Sequence, residues 1–193
     1  MRQFVKNTSF VISVVLITPL YLTFRAASLL SSVEGAFPGF SQFLSLFPGN
    51  VGNYLRKAFY RYTLKSCNKD CTITFGTFFP SSNVQIGKYV YIGANCIIAD
   101  AVIDDDTMLG SYVQVISGKS THNAANVDIP MRMQGGKTET ILIGQDTWIG
   151  NNAVIMANVG KKCIIGAGSV VTREIEDYSV AVGNPAKIIK KRI

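Results

Sequence analysis

The chain has 193 residues, a length that suits a single domain with an appendage. Its composition is 48% hydrophobic and only 16% charged, so it can bury a continuous core, and its apolar balance favours contact with a membrane. The formal net charge of +7 indicates anionic partners such as phosphates or lipid headgroups. Nucleic acid is not expected as a partner, because no nucleic-acid-binding motif accompanies the charge.

The first predicted element is a nearly continuous apolar run from Phe10 to Phe24. Lys6 precedes the run and Arg25 follows it, as in a signal peptide, but no small-x-small cleavage site comes after it. The run is shorter than the ~20 residues that a bilayer crossing needs, and Pro19 interrupts its helical hydrogen bonding. We therefore predict a kinked, re-entrant or shallowly inserted helix at a membrane.

The next segment predicts a short amphipathic helix. The stretch from Ala26 to Leu46 is rich in Leu, Phe and Ser and has almost no charge. It contains Phe37-Pro38-Gly39 and is followed by Phe47-Pro48-Gly49, and such Pro-Gly breaks mark turns. We expect the helix to lie between these two turns.

A third helix is predicted from Val51 to Ser66, where an apolar face and a basic stripe share a helical period. Basic amphipathic helices commonly lie on anionic membrane surfaces. The alternative is that the apolar face packs on the following domain and the stripe is solvated. We assign residues 1–66 to membrane-associated helices. The apolar face comprises Val51, Tyr54, Leu55, Ala58, Phe59 and Tyr62, and the stripe comprises Lys57, Arg61 and Lys65.

The remainder of the chain carries a six-residue repeat of aliphatic residues, many followed by glycine, as at Ile149-Gly150. Neither a helix nor a strand has a period of six, so the pattern predicts a triangular parallel β-solenoid whose aliphatic residues point inward. Three hexads complete one coil, and glycine is expected to relieve crowding at the corners through its freedom in φ. The repeated residues are Ile86, Ile92, Ile97 or Ile98, Ile103, Leu109, Val115, Ile143, Ile149, Ile155, Val159, Ile165 and Val171.

The repeat is broken once, by a polar loop at residues 117–142. The loop holds His122, the only histidine of the chain, next to Asn123 and near Asp128. Long loops on a rigid scaffold are often functional, so we predict that His122 carries the chemistry. The alternative is a satisfied surface or core histidine without a catalytic role.

The four cysteines do not have zinc-binding spacing. Cys67 and Cys71 lack a C-x-x-C pair, and Cys96 and Cys163 fall at repeat positions where small apolar residues pack. We predict four reduced, structural cysteines and no metal, consistent with a cytosolic domain.

Four segments resemble signature sequences of one family. They are PMRMQGG at 130–136, IGQDTWIG at 143–150, IGAGSVVT at 165–172 and GNPAK at 183–187. Their order is similar to that in the hexapeptide-repeat acyltransferases, especially the membrane-associated O-acetyltransferases of polysaccharide biosynthesis. The resemblance covers residues 70–193 and is strongest from Ile141 to Arg192.

The resemblance implies a mainly β fold, a left-handed parallel β-helix at residues 67–180 with a basic tail at 181–193. It also implies a homotrimer with active sites between subunits, in which acetyl-CoA gives its acetyl group directly to a sugar hydroxyl of a polysaccharide or its lipid-linked precursor. With the membrane helices, this places the protein at the cytoplasmic face of the inner membrane. His122 would be the general base.

The resemblance also assigns further site residues. Trp148 of a neighbouring subunit would line the pantetheine arm, with the alternative that it packs at a subunit seam. Asn95 is a candidate for acceptor binding, with the alternative that it only forms a solenoid corner. The basic tail could instead be solvated. The remaining candidates are Gly166, Ala167, Thr172 and Arg173 along the pantetheine groove, and Lys187 and Lys190 at the nucleotide phosphates.

The chain departs from the family pattern in three places. Ser120-Thr121-His122 stands where the family often has a His-x-His pair, so no second histidine assists. The repeat is two residues short between Ile155 and Ile165 and one residue short between Ile92 and Ile97.

Two other functions remain open from the sequence. One is a nucleotide-sugar N-acetyltransferase, whose soluble acceptor would make residues 1–50 dispensable, and the other is a non-catalytic β-solenoid scaffold. A γ-type carbonic anhydrase is excluded because it needs three zinc-binding histidines, and an ice-binding solenoid is excluded because regular threonine rows are missing.

Overall fold

A computed structural model of the protein describes residues 2–193 and places three helices ahead of a parallel β-helix. Helix α1 spans Arg2–Leu30, α2 spans Val33–Ser45 and α3 spans Gly49–Thr63. The predicted fold class, a mainly β left-handed parallel β-helix of hexapeptide repeats with an N-terminal helical segment, is confirmed.

Three sheets form the sides of the β-helix, and each coil takes one strand from each sheet in turn. The first sheet holds β1 (Ser66–Cys67), β3 (Val84–Ile86), β6 (Ala101–Ile103) and β9 (Ile141–Ile143). The second holds β2 (Thr72–Ile73), β4 (Tyr91–Ile92), β7 (Met108–Leu109), β10 (Trp148–Ile149), β12 (Ile164–Ile165), β14 (Ser179–Val182) and the antiparallel β15 (Lys187–Lys191). The third holds β5 (Ile97–Ile98), β8 (Gln114–Val115), β11 (Val154–Ile155) and β13 (Val170–Val171).

The aliphatic residues of the repeat form the core, as predicted, and each is at most 2% exposed. Ile98 rather than Ile97 is the inward residue of its hexad, so the step from Ile92 is a full six residues. The predicted shortening between Ile92 and Ile97 is therefore wrong, because the missing residue falls between Ile98 and Ile103. The shortening after Ile155 is present, since Val159 follows four residues later and pairs with Ile143 of the first sheet. Both short steps lie where the chain turns from the third sheet to the first.

The glycines that follow the aliphatic residues are required because the next coil lies too close for a Cβ atom. They are not required for a positive φ. At Gly150 an added Cβ would lie 2.5 Å from the backbone nitrogen of Ala167 in the next coil, and the φ of Gly150 is outside the left-handed region. The expectation that these glycines supply freedom in φ is therefore wrong. The left-handed conformation falls shortly before the following strand, mostly on other residue types. Two residues before a strand, these positions are Tyr89, Asp106, Asp146 and Lys162 for the second sheet and Asn95, Tyr112, Asn152 and Gly168 for the third. Tyr178 directly precedes β14, and Gly76 lies two residues before Phe78, which bridges to Ile97.

Helix α1 is longer than the apolar run predicted. It continues through Pro19 and has 29 residues, or roughly 44 Å at the rise of an α-helix. Its segment Lys6–Leu30 is long and apolar enough to cross a membrane by length and composition alone, with a mean hydropathy of 1.8. The prediction that this segment is too short to cross a bilayer is therefore wrong, because the helix extends beyond the apolar run on both sides.

One stripe of α1 packs along α2 and α3. Ile17 and Phe24 are buried there, and Phe24 makes edge-to-face contacts with Phe37 of α2 and Phe59 of α3. The opposite face of α1 leaves apolar side chains exposed. This exposed face comprises Val11, Ile12, Val15, Leu16 and Leu22.

Helix α2 contradicts one of the predicted turns. Phe37-Pro38-Gly39 lies inside α2, which begins after Ser32, whose side chain accepts a hydrogen bond from the Gly35 nitrogen at 2.9 Å. Of the two Pro-Gly segments, Phe47-Pro48-Gly49 is the one that lies between helices, as predicted. Pro38 is the sixth residue of α2, so it removes one helical hydrogen bond, yet the helix continues through it to Ser45.

Helix α3 packs on the first coil of the β-helix, as the alternative interpretation of this segment predicted. The buried face is rotated from the predicted one, because Arg56 and Lys57 are buried while Val51 and Tyr62 are exposed. The assignment of Lys57 to a surface-exposed basic stripe is therefore wrong.

Candidate active site

The loop between β8 and β9 is fastened by its own hydrogen bonds. The Gln134 side chain donates to the carbonyl oxygens of Asn126 and Ile129 at 2.6 Å and accepts from the Asn126 nitrogen at 3.0 Å. The two arms of the loop also pair, since the Asn123 nitrogen donates to the Gly135 oxygen at 2.8 Å. Gly136 allows this pairing, because an added Cβ would lie 2.0 Å from the Thr121 oxygen.

A cavity of about 460 Å³ opens between these two arms. His122 lines it and its side chain is exposed, so the imidazole can reach a bound molecule. No hydrogen bond within residues 2–193 holds the His122 ring, and Asp128, a candidate for orienting it, bonds through its backbone to Asn126 instead. Sequence reasoning named only His122 and its neighbour Asn123 here. The cavity also includes Ser120, Gln134, Gly136 and Lys137, which the pairing of the arms brings together.

Trp148 stands on the outer face of β10, where it is 51% exposed. It lies in register between Met108 of β7 and Ile164 of β12. Beside it is a second, smaller cavity of about 150 Å³, which also touches Asp146 and Arg192. Within one chain, Trp148 and His122 line different cavities, because one lies on the second sheet and the other on the loop after the third.

Four of the other predicted cofactor residues lie on the next coil of the β-helix towards the C-terminus, after the coil that carries Trp148. Gly166 and Ala167 follow β12 at a corner, whereas Thr172 and Arg173 follow β13 at the turn towards the first sheet. Within residues 2–193, the structure does not bring these four residues and His122 into one cavity.

The C-terminal tail folds back on the second sheet and is not a free basic end. β15 pairs antiparallel with β14, and Lys191 forms an ion pair with Glu176 at 2.8 Å. Arg192 donates to the Lys162 oxygen at 3.0 Å. Lys187 and Lys190 lie on β15 with exposed side chains, so they remain accessible to an anionic ligand.

Asn95 lies at a corner of the second coil, where its φ is 57°. Its backbone nitrogen donates to the Phe75 oxygen of the coil below at 2.9 Å. Asparagine tolerates the left-handed conformation well, so the corner explains this residue. Within one chain Asn95 does not line the His122 cavity, and its role in acceptor binding stays a prediction.

The cysteines are free thiols, and all are buried. The Sγ atoms of Cys67 and Cys71 are 3.7 Å apart, and this contact together with burial raises the pKa of Cys67. Burial also raises the pKa of Cys96 and Cys163. Across residues 2–193 there is no group of three or more His, Cys, Asp or Glu side chains arranged to hold a metal ion.

The stacked hexads and the loop that carries His122 define a hexapeptide-repeat β-helix protein. Residues 140–173 match the family model described as bacterial transferase hexapeptide (six repeats). The resemblance to the hexapeptide-repeat acyltransferase family that the sequence predicts is confirmed.

Named relatives and solved structures are similar over much of the chain. A putative lipopolysaccharide biosynthesis O-acetyl transferase of Escherichia coli K12, WbbJ, is 34% identical over 123 residues, covering 60% of this chain and 61% of that protein. A probable acetyltransferase of Mycobacterium tuberculosis is 30% identical over 135 residues, covering 58% of this chain and 45% of that protein. The chain thus spans less than two thirds of the length of these relatives. In fold it is similar to a maltose O-acetyltransferase from Clostridium difficile 630, with a TM-score of 0.69, 24% identity and coverage of 82% of this chain and 87% of that one.

Proposed function

We propose that the protein is an acetyl-CoA-dependent O-acetyltransferase acting on a sugar of a polysaccharide or of its lipid-linked precursor. The observation that carries the proposal is the position of His122, exposed beside an open cavity of about 460 Å³ on a rigid β-helix. Similarity to a putative lipopolysaccharide biosynthesis O-acetyl transferase supports the choice of acceptor.

His122 acts as the general base in a direct transfer. As the sugar hydroxyl oxygen attacks the thioester carbonyl carbon, a ring nitrogen of His122 accepts the hydroxyl proton. The tetrahedral intermediate then collapses, the C–S bond breaks, and the imidazolium returns the proton to the leaving CoA sulfur. A backbone N–H is the expected donor to the oxyanion of the intermediate. No metal is needed for any of these steps.

The acceptor sugar binds in the His122 cavity. The lining side chains of Ser120, Asn123 and Lys137 supply donors and acceptors suited to hydroxyl groups. The fastened Gln134 keeps the two arms together, so the cavity needs little reorganisation when the sugar enters.

The donor binds on a neighbouring subunit of a homotrimer. Because Trp148 and His122 line separate cavities in one chain, a complete site requires His122 of one subunit to face Trp148 of another. The pantetheine arm then lies along Trp148 and the corner at Gly166 and Ala167. The exposed cations on β15 and at Arg173 are available to the phosphates of the nucleotide.

The protein works at the cytoplasmic face of the inner membrane, where a lipid-linked saccharide is accessible. The exposed apolar face of α1 supports this location, since apolar side chains in such a row are stabilised by contact with lipid. The packing of α1 along α3, which carries the charged Arg56, Lys57 and Arg61, favours a helix that lies in the membrane surface over one that crosses it.

Calorimetric titration with acetyl-CoA tests this proposal. The wild-type protein is expected to bind acetyl-CoA, and Trp148→Ala to weaken binding by about tenfold or more, since the contact of a large aromatic side chain is lost. Tyr91→Ala is the matched control, because Tyr91 is also exposed on the second sheet but two strands away, on β4. A wild-type protein that does not bind acetyl-CoA would instead be the non-catalytic scaffold.

A further inference from the structure

A cavity of about 320 Å³ lies where the helices meet the first coil, far along the chain from the His122 loop. Lys6 and Phe10 of α1 line one side of it, and Lys57 of α3 lines another. Lys69 and Asp70, in the turn between β1 and β2, complete the charged part of the lining.

Lys57 is the unusual group of this cavity. Its side chain is only 7% exposed, and its Nζ lies 4.4 Å from the centroid of the Tyr54 ring. In the part of the chain from residue 2 to 193, no carboxylate forms an ion pair with it, and no oxygen accepts a hydrogen bond from it. Burial lowers the pKa of Lys57, because the ammonium group loses water there. The ammonium group is reached only from the cavity and has no paired anion there, so a bound anion would compensate for the water that it loses.

The other charged groups of the lining leave an excess of positive charge. Lys6 and Lys69 have exposed side chains, and Lys69 donates to the Asn7 side chain at 3.3 Å. Asp70 is the acidic residue of the lining, against three lysines, and it is not ion-paired with any of them. Three donors on flexible stems around one pocket suit the several oxygens of a phosphate or diphosphate group.

The cavity opens at the end of α1 where its exposed apolar face begins. Phe10 lines the cavity, and Phe4 and Val11 on the same helix have exposed side chains. Phe10 belongs to the stripe of α1 that packs against the core, whereas Phe4 and Val11 belong to the exposed side of the helix.

We propose that this cavity binds the phosphate or diphosphate group of an anionic ligand, with Lys57 as the buried contact and Lys6 and Lys69 at the entrance. A lipid headgroup and a soluble phosphate compound are the two sources of such a group, and the second experiment below distinguishes them. The proposal does not depend on acetyl transfer, since it concerns a different cavity and a different ligand.

Calorimetric titration of the full chain with inorganic pyrophosphate tests the site. Lys57→Met, which keeps the length of the side chain, should weaken binding by about tenfold or more, as expected for loss of a hydrogen bond to a charged group. Lys69→Gln should also weaken binding, and this exposed position keeps the test valid if the buried variant fails to fold. Lys65→Gln is the control, because it removes the same charge from an exposed lysine outside the cavity. No binding by the wild type, or equal weakening by all three variants, would overturn the proposal.

Vesicle sedimentation then separates the two sources of phosphate. Vesicles of phosphatidylcholine with phosphatidic acid should retain the wild-type protein more strongly than phosphatidylcholine alone, and Lys57→Met should remove this difference. If Lys57→Met loses pyrophosphate binding but keeps the preference for phosphatidic acid, the cavity takes a soluble phosphate compound, which supports the site and excludes the lipid.

Discussion

Arg56 joins the helices to the β-helix through a single buried guanidinium group. Its Nε donates to the Ile73 oxygen of β2 at 2.9 Å, and its Nη1 donates to the oxygens of Leu44 at 3.1 Å and Phe47 at 2.7 Å. Within residues 2–193, its Nη2 is the buried side-chain atom left without a partner. Arg56 therefore satisfies the carbonyl groups at the end of α2 that no helical N–H can reach.

Replacing Arg56 should destabilise the protein strongly. Arg56→Met removes the donor to the Ile73 and Phe47 oxygens and leaves the Leu44 oxygen with a long backbone bond from the Phe47 nitrogen at 3.4 Å. We expect the free energy of unfolding to fall by about 3 kcal/mol or more. Arg61→Met is the control on the same helix, because Arg61 is exposed and donates to one carbonyl, that of Cys67. Denaturant unfolding followed by circular dichroism measures both variants, and equal stability would contradict this role of Arg56.

From the sequence, the role of a single residue was predictable only where its residue type is rare in the chain. His122 stood out as the only histidine, and it does line a cavity. Arg56 and Lys57 were not predicted to be buried, because Arg56 bonds to carbonyls from α2 and β2, which only the complete fold brings near α3. Lys137 was missed for the same reason, since it reaches the cavity through pairing of the two loop arms.

At the scale of the element, adjacent coils approach so closely at the corner after Ile149 that the next residue must be a glycine. An added Cβ on Gly150 would lie 2.5 Å from the nitrogen and 2.8 Å from the Cα of Ala167. Both atoms belong to backbone that the next coil fixes by parallel pairing, so they cannot move aside cheaply.

Gly150→Ala should therefore destabilise the β-helix. Overpacking of this kind lowers the free energy of unfolding by about 1–3 kcal/mol, and thermal unfolding should show a lower midpoint. Gly39→Ala in α2 provides the comparison, because nothing lies within 4 Å of its added Cβ, and alanine favours a helix. The account of the close corner is wrong if the Gly150 variant unfolds at the higher temperature of the two.

The repeated elements were predictable from the sequence, whereas the exceptions were not. Every hexad buries its aliphatic residue, because a period of six leaves one inward position on each side of the triangle. The helix across Pro38 was missed because a Pro-Gly pair usually marks a turn, and here the Ser32 cap and packing of Phe37 in the core outweigh it. The left-handed conformation of Tyr89 or Lys162 has no signal in residue type, since stacking of the corners imposes it.

At the scale of the whole molecule, the helices form a layer with an apolar outer face on one end of the β-helix. Leu16 belongs to this face and is 64% exposed. Leu16→Glu should leave the fold unchanged and weaken binding to lipid vesicles by about tenfold or more, the loss expected for one apolar side chain withdrawn from lipid.

Gln114→Glu is the matched control for this membrane prediction. It introduces the same charge at an exposed position of β8, outside the helical layer. Sedimentation with vesicles measures both variants, and equal binding by the two would refute membrane contact through this face of α1.

The central claim is that His122 accepts the proton of the acceptor hydroxyl during acetyl transfer. Acetyl transfer by purified His122→Ala, measured as release of the CoA thiol in the presence of a sugar acceptor, tests it most directly. We expect kcat to fall by about 10²–10⁴-fold, with unchanged affinity for acetyl-CoA and an unchanged circular dichroism spectrum. The exposed loop variant Lys119→Ala should keep its turnover. A His122→Ala variant that turns over at close to the wild-type rate would contradict the account.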